Sequence, residues 1–153
     1  MDLSDATGVD PVITGTPRAE DQMEELPTIL VIEDEDVIQL LVEEALTEGG
    51  FAVDIVPSGE EALTLLASGQ KTYRALVTDI SIKGKVSGWD VATKLRETDP
   101  TVPVIYMSGA HADDWPVKGV PNSVMLAKPF APAQLVTALA QLLNAALPVT
   151  PGT

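Results

Sequence analysis

The sequence predicts an α/β fold in which a doubly wound sheet of five parallel strands is covered by helices on both faces. Three observations carry this prediction. Five short apolar runs alternate with segments of helical periodicity, a pattern typical of a parallel sheet buried on both faces. The length of 153 residues suits one domain with some spare chain. Hydrophobic residues make up 45% of the chain but aromatic residues only 4%, so the core must be aliphatic.

The first half of the chain alternates twice between strand and helix. The run Thr28–Ile32 (TILVI) predicts the first strand, and Asp36–Glu48 has the apolar spacing of a helix that ends at a pair of glycines. Ala52–Val56 predicts the second strand. The segment Ser58–Glu61 is a capping box, which predicts a second helix as far as about Ala67.

Acidic residues surround the start of the first helix. We assign Glu35 and Asp36 to that start, with Asp36 as the N-cap, because acidic side chains are favoured in the first turn. Val37 and Leu40 supply two of the apolar positions at helical spacing.

The second half of the chain continues the alternation. Ala75–Asp79 predicts the third strand, and Gly88–Thr98 predicts a helix that stops near a proline. Pro103–Met107 and Ser123–Ala127 predict the fourth and fifth strands, and Ala131–Ala146 predicts a long final helix.

The fourth helix of the pattern is expected to be weak or broken. Residues 110–122, where it would lie, contain Pro116, Gly119 and Pro121. Proline and glycine interrupt a helical pattern, so any helix here is expected to be short.

The two ends of the chain lack apolar periodicity. Residues 1–27 hold seven acidic residues and one basic residue, which predicts a disordered acidic arm ahead of a domain at 28–147. Residues 148–153 are expected to form a loop-like tail. No apolar run approaches the roughly 20 residues of a membrane span, and no secretory signal is apparent, so we expect a cytoplasmic protein.

Composition excludes several classes of function. The formal net charge of −14 opposes binding to nucleic acid or insertion into an anionic membrane. The chain has no cysteine, which excludes disulfides and thiol chemistry. Its single histidine, His111, cannot by itself form a multi-histidine metal site.

Polar side chains follow four of the five predicted strands. Glu33 and Asp34 follow the first strand, Asp79 ends the third, and Ser108 and Lys128 follow the fourth and fifth. Ligands of such folds bind outside the carboxyl ends of the strands. Converging carboxylates repel each other without a cation, and oxygen ligands of this kind favour Mg²⁺. A carboxylate beside such an ion is a known nucleophile that forms an aspartyl-phosphate.

The segments at these strand ends, ILVIEDE, LVTDI, YMSGA and LAKPF, resemble the receiver domain of two-component response regulators. The resemblance covers residues 28 to about 147 and implies a flavodoxin-like (βα)5 fold. It implies that Asp79 is the phosphoacceptor. It also implies that Mg²⁺, or Mn²⁺ as an alternative ion, is bound by Glu33, Asp34, Asp79 and the backbone carbonyl of Ser81.

The resemblance assigns roles to four further residues. Ser108 would supply the hydroxyl that binds the phosphoryl group, and Lys128 would form an ion pair with it. Gly109 would leave access to the site open, and the bond from Lys128 to Pro129 would be cis. Met125 departs from the pattern, because many receivers have a tyrosine or phenylalanine there that swings inward on activation. A readout by that ring is therefore not expected.

The resemblance implies a single-domain response regulator in a phosphorelay, without enzymatic activity beyond its own phosphorylation and dephosphorylation. A sensor histidine kinase or histidine phosphotransfer protein would donate the phosphoryl group, meeting the first helix and residues 128–130. The protein would then dock to a downstream protein, whose identity is open, or pass the phosphoryl group onward. Two alternatives stay open. One is a phosphorylation-independent interaction module, and the other is a Mg²⁺-dependent phosphohydrolase with an aspartyl nucleophile.

Overall fold

The computed structural model describes residues 26–110 and 112–146 and has the predicted doubly wound α/β fold. All strands are parallel and lie in one sheet. They are β1 (Thr28–Ile32), β2 (Ala52–Val56), β3 (Ala75–Asp79), β4 (Val104–Ser108) and β5 (Ser123–Ala127). The strand order in the sheet is β2-β1-β3-β4-β5. The strand order therefore reverses between β1 and β3, where doubly wound folds form their ligand-binding crevice.

The helices follow the predicted pattern, including the weak fourth one. They are α1 (Asp36–Glu48), α2 (Gly59–Ser68), α3 (Gly88–Thr98), α4 (Trp115–Lys118) and α5 (Pro132–Ala146). A 3-10 turn at Ala112–Asp114 precedes α4, which is a single turn of helix. Pro116 is tolerated there because the first turn of a helix does not use its N–H groups.

Parts of the predicted organisation lie outside the described residues. These parts are the acidic arm, except for its last two residues, the C-terminal tail, and His111. Within the described ranges, none of the helices has the length and apolar character needed to cross a lipid bilayer.

Serine residues are the N-caps of α2 and α3, two helices on one face of the sheet. The Ser58 hydroxyl accepts a hydrogen bond from the backbone N–H of Glu61, which is one of the two bonds of the predicted capping box. The Glu61 carboxylate accepts from the Ser58 hydroxyl instead of completing the box. Ser87 and Asp90 form a full capping box at the start of α3, which the sequence analysis missed. The N-cap of α1 is Glu35, so the assignment of that position to Asp36 was wrong by one residue.

The core consists of two layers, one on each face of the sheet. Alternate residues of β1 point to opposite faces, so Leu30 and Ile32 pack with α2 and α3 while Ile29 and Val31 pack with α1 and α5. The same alternation continues along β3 and β4. Full burial of each such side chain contributes about 1.5–3 kcal/mol to folding.

The exposed face of α1 is more apolar than a solvated helix face needs to be. Val37 is 78% exposed and Leu40 is 57% exposed, whereas Val42, Ala45 and Leu46 are buried. The apolar residues of α1 therefore cover more than the stripe that faces the sheet. Helical spacing alone did not show that Val37 and Leu40 are on the outside.

A polar cluster links the edge strand β2 to the segment before β3. The Tyr73 hydroxyl donates to Asp54 Oδ2 at 2.7 Å, and Lys71 Nζ lies 2.9 Å from the same oxygen. Burial by itself raises the pKa of Asp54, but the hydrogen bonds from Tyr73 and Lys71 outweigh it and hold that pKa below its usual value. Burial and donation to Asp54 both raise the pKa of Tyr73.

Replacement of Tyr73 by phenylalanine should lower the free energy of unfolding by about 1 kcal/mol at neutral pH, because Asp54 loses a hydrogen bond. A carboxyl whose pKa is lowered on folding stabilises the protein above its unfolded pKa of about 3.9, and this stabilisation is lost as the pH falls through the folded value. The deficit of Y73F should therefore shrink on acidification. Urea unfolding between neutral and acidic pH measures it, and a deficit that does not change with pH would contradict the assignment.

Candidate functional site

Four loops bring polar side chains together at the carboxyl edge of the sheet. The strands β1 and β3 are neighbours, and β4 and β5 follow on the same side. Glu33 and Asp34 follow β1, Asp79 ends β3, Ser108 ends β4 and Lys128 follows β5. The predicted strand ends thus converge on the crevice beside the point where the strand order reverses.

Three carboxylates form the centre of the site. Glu33 is fully buried, Asp79 is 6% exposed, and Asp34 is half-buried. One oxygen from each of them lies within 4.8 Å of the others. Negative charges this close repel each other, and burial prevents water from screening them. Such an arrangement requires positive charge nearby.

Lys128 supplies positive charge from the other side of the crevice. Its Nζ lies 3.0 Å from Glu33 Oε1 and 3.0 Å from Asp79 Oδ2, and its side chain is only 17% exposed. Burial alone lowers the pKa of Lys128, but the hydrogen bonds and charges of Asp79 and Glu33 outweigh it and raise that pKa above its usual value. The lysine therefore stays charged and bridges the carboxylates of β1 and β3.

Hydrogen bonds fix both the carboxylate and the backbone carbonyl of Glu33. Its Oε2 accepts from the backbone N–H of Glu35 at 3.1 Å, its Oε1 accepts from Lys128, and its carbonyl accepts from Gln39 Nε2. Burial raises the pKa of Glu33, and the bonds from Glu35 and Lys128 only partly offset this. Both carboxylate oxygens of Glu33 thus already have protein partners.

The backbone around Lys128 is tied to β4. The Lys128 N–H donates to the Ser108 carbonyl at 2.9 Å, and the bond to Pro129 is cis, in agreement with the prediction. The Ser108 side chain is 3% exposed, and its hydroxyl accepts from the N–H of Ala110. A Cβ added at Gly109 would lie 3.9 Å from that of Lys128, which is ordinary contact. The role of Gly109 in access therefore stays a prediction.

The loop after β3 is fixed at both ends. The Ser81 N–H donates to Asp79 Oδ1 at 3.3 Å, which keeps the backbone of Ser81 beside the carboxylate. At the other end, a Cβ added at Gly88 would collide with the Asp79 carbonyl oxygen and would lie 2.9 Å from Thr78 Oγ1. The first residue of α3 therefore packs directly on the end of β3, and only glycine fits there.

Glu60 holds the middle of this loop, which the sequence analysis did not anticipate. Its Oε2 accepts from the N–H of Lys85 at 2.7 Å and from that of Val86 at 3.3 Å. The bond from Lys85 is the first of several hydrogen bonds that lower the pKa of Glu60. Gly84 has a φ of +99°, and a Cβ there would collide with the Glu60 carboxylate. The glycine between two lysines was the only local sign of this arrangement.

Met125 lies half-buried on β5, and an aromatic residue of β4 lies beside it. Tyr106 is its register partner, is fully buried, and accepts a hydrogen bond at its hydroxyl from the Val120 N–H. Trp89 of α3 packs on the Tyr106 ring, with 4.6 Å between ring centroids. The bulky aromatic group of this region thus lies within the core rather than at position 125.

Replacement of Glu60 by alanine should increase hydrogen exchange at the amides of Lys85 and Val86 several-fold, because both lose their acceptor. Glu61→Ala is the matched control, since the neighbouring side chain does not contact this loop in the described hydrogen bonds. Exchange followed by NMR or mass spectrometry measures the change. Equal exchange in both variants would show that Glu60 does not hold the loop.

Comparison with known proteins gives one consistent family. A sequence model of the response regulator receiver domain matches residues 29–140. The transcriptional regulatory protein CusR of Escherichia coli K12 is 30% identical over 118 residues, which cover 76% of this chain and 51% of that protein. The chain thus spans about half the length of this relative.

Solved structures agree in fold. A response regulator receiver protein from Sinorhizobium medicae WSM419 superposes with a TM-score of 0.78 at 45% identity, covering 81% of this chain and 99% of that one. The receiver domain of sensor histidine kinase PA1611 from Pseudomonas aeruginosa PAO1 gives a TM-score of 0.66 at 25% identity, with coverages of 77% and 98%. The structure of PA1611 has a magnesium ion coordinated in its active site cleft.

Proposed function

Since the chain belongs to the response regulator receiver domain family, we propose that it is phosphorylated on Asp79 in a Mg²⁺-dependent reaction and acts in a cytoplasmic two-component phosphorelay. The observation that carries the proposal is the contact of Lys128 with Glu33 and Asp79, with Asp34 completing the acidic cluster. A nucleophilic carboxylate, a metal-binding acid pair and a buried cation are then all present within one crevice.

The donor set fits a hard divalent cation. The three carboxylates offer oxygen ligands only, and few dedicated ligands favour Mg²⁺ because it keeps several of its waters. Asp34 and Asp79 would bind the ion directly, with the carbonyl of Ser81, and Mn²⁺ would be an acceptable substitute. Glu33 would act through water, since both of its oxygens already accept hydrogen bonds. The bound ion would neutralise charge where an anionic phosphoryl group meets a carboxylate.

In the proposed reaction an oxygen of Asp79 attacks the phosphorus of a phosphohistidine on the donor protein. The new O–P bond forms as the N–P bond breaks, and the departing ring nitrogen of the donor histidine takes up a proton from water to give a neutral imidazole. Lys128 and the Ser108 hydroxyl would hold the phosphoryl oxygens afterwards, since both lie at the mouth of the same crevice. Gly109 would leave the approach to Asp79 open.

A sensor histidine kinase or a histidine phosphotransfer protein is the proposed donor. The proposed output is docking to a downstream protein or onward phosphotransfer. The readout would not use an aromatic ring at Met125. The fixed Tyr106 and the single-turn α4 support a different mode of readout from a ring that swings at β5.

Incubation of the protein with Mg²⁺ and acetyl phosphate should add the mass of one phosphoryl group, detected by intact-mass spectrometry. Asp79→Asn should remove this addition, and chelation of the metal should prevent it in the wild type. Asp113→Asn, at an exposed aspartate of the turn before α4, is the matched control and should be labelled as the wild type is. Failure of the wild type to be labelled by any phosphodonor would refute the proposal.

The exposed apolar face of α1 fits the donor-docking surface of this proposal. Val37 and Leu40 project into solvent on the helix that follows the Glu33–Asp34 pair. An apolar patch next to the crevice, rimmed by acidic residues, is typical of a protein-binding surface. Residues 128–130 lie on the other side of the same crevice.

Replacement of Leu40 by glutamate should slow phosphotransfer from a phosphorylated histidine kinase about fivefold or more, because interface core residues cost above about 1 kcal/mol when lost. Labelling by acetyl phosphate should not change. Val117→Glu is the matched control, since Val117 is 88% exposed but lies on α4. The kinase is chosen as the fastest donor among histidine kinases of the same organism. Equal slowing by both variants would argue against a docking role for α1.

A further inference from the structure

Among the described residues, β2 is the one strand whose end supplies no side chain to the crevice that holds Glu33, Asp34 and Asp79. The first turn of α2, which follows this strand, instead contacts residues 80–87, the loop that joins β3 to α3. This loop leaves the sheet at Asp79. The end of β2 is thus connected to the crevice through the backbone of a neighbouring loop.

Two backbone contacts join the start of α2 to this loop. The backbone of Ser58 forms a parallel bridge with that of Lys83. A Cβ added at Gly59 would lie only 2.7 Å from the carbonyl oxygen of Val86, so the two backbones are packed as closely as glycine permits. The helix start therefore lies directly against the loop at two points.

Glu60 adds the side-chain part of this contact. One oxygen of its carboxylate, Oε2, accepts from the N–H of Lys85 at 2.7 Å and from that of Val86 at 3.3 Å. Gly84, at a φ of +99°, lies directly before these two N–H groups. Without the carboxylate, the middle of the loop would be held by backbone contacts alone, and the glycine would give it freedom to change conformation.

The same loop carries a backbone group that the proposed function makes a metal ligand, the carbonyl of Ser81. The Ser81 N–H already donates to Asp79 Oδ1 at 3.3 Å. Lys83, where the loop is bridged to α2, is only two residues further along. A ligand that is ordered before binding loses less conformational entropy when the ion arrives, so a fixed loop favours the ion.

We propose that Glu60 is a positioning residue for the divalent cation of the crevice and acts through the loop backbone on the Ser81 carbonyl. The inference rests on the proposed function, because it needs a cation at Asp34 and Asp79. Glu60 is not one of the clustered carboxylates. Its effect therefore comes from the two hydrogen bonds that it accepts, and not from contact with the ion.

Mn²⁺ is the probe, because EPR measures its binding to the full-length chain directly. Glu60→Ala should raise the Kd for Mn²⁺ about fivefold, less than the roughly 10–100-fold that is typical when a direct partner of a metal ligand is lost. Glu60→Gln keeps a carbonyl oxygen that can accept both bonds, so its Kd should stay within about twofold of the wild type. Glu61→Gln is the matched control, since it removes the same charge from the neighbouring side chain, and it should bind as the wild type does.

Phosphorylation by acetyl phosphate separates positioning from a general loss of structure. Glu60→Ala should need about fivefold more Mg²⁺ to reach half of its maximal rate, but its rate at saturating Mg²⁺ should equal that of the wild type. A lower saturating rate together with a lower temperature of unfolding would assign Glu60 a purely structural role and overturn the inference.

The outcomes distinguish this inference from the proposed function. Equal Mn²⁺ affinity of Glu60→Ala and the wild type would overturn the inference and leave the proposed function intact. Equal losses in Glu60→Ala and Glu60→Gln would also overturn it, because the charge of Glu60 rather than its hydrogen bonds would then be responsible. A wild type that binds no Mn²⁺ would refute the proposed function and this inference together.

Discussion

The contact between Lys128 and two buried carboxylates is the interaction on which the rest of the site depends. Glu33 and Asp79 come from adjacent strands, and neither carboxylate can be left unpaired at such low exposure without a cost of several kcal/mol. Lys128 comes from the far strand of the sheet and meets both at 3.0 Å. Lys128 can meet both carboxylates only when β1, β3 and β5 are all in their correct positions, so this contact requires the whole sheet to be assembled.

Lys128 does not neutralise all of the negative charge of the site, so a further cation would be favourable there. One lysine faces three carboxylates, and the least enclosed of them, Asp34, has no described hydrogen bond to Lys128. Both carboxylate oxygens of Glu33 accept hydrogen bonds from protein donors, so Glu33 is less available than Asp34 to a cation. Glu33 and Asp34 follow the same strand, and it is their different hydrogen bonds that make only Asp34 readily available to a cation.

Much of this arrangement could be predicted from sequence because it is local. Strand bounds follow from short apolar runs, and the start of α2 follows from the Ser58 cap. The features that the sequence did not predict depend on contacts between residues that are far apart in the chain. Val37 and Leu40 fit helical spacing, yet which side of α1 meets the sheet is decided by packing with α5. Glu60 accepts hydrogen bonds from backbone N–H groups that lie 25 and 26 residues further along the chain. No local pattern in the sequence indicates such bonds.

The close packing of Gly88 against Asp79 has a consequence for how this protein can change over time. The loop between them begins at a strand end and finishes at a helix start that touches that same strand end, so its two ends lie together whatever its middle contains. Insertions or deletions around residues 82–86 would cost the hydrogen bonds that Glu60 accepts from this loop, but they would leave the backbone of Asp79 in its place. The sequence of this loop can therefore vary without displacing the carboxylate beside it.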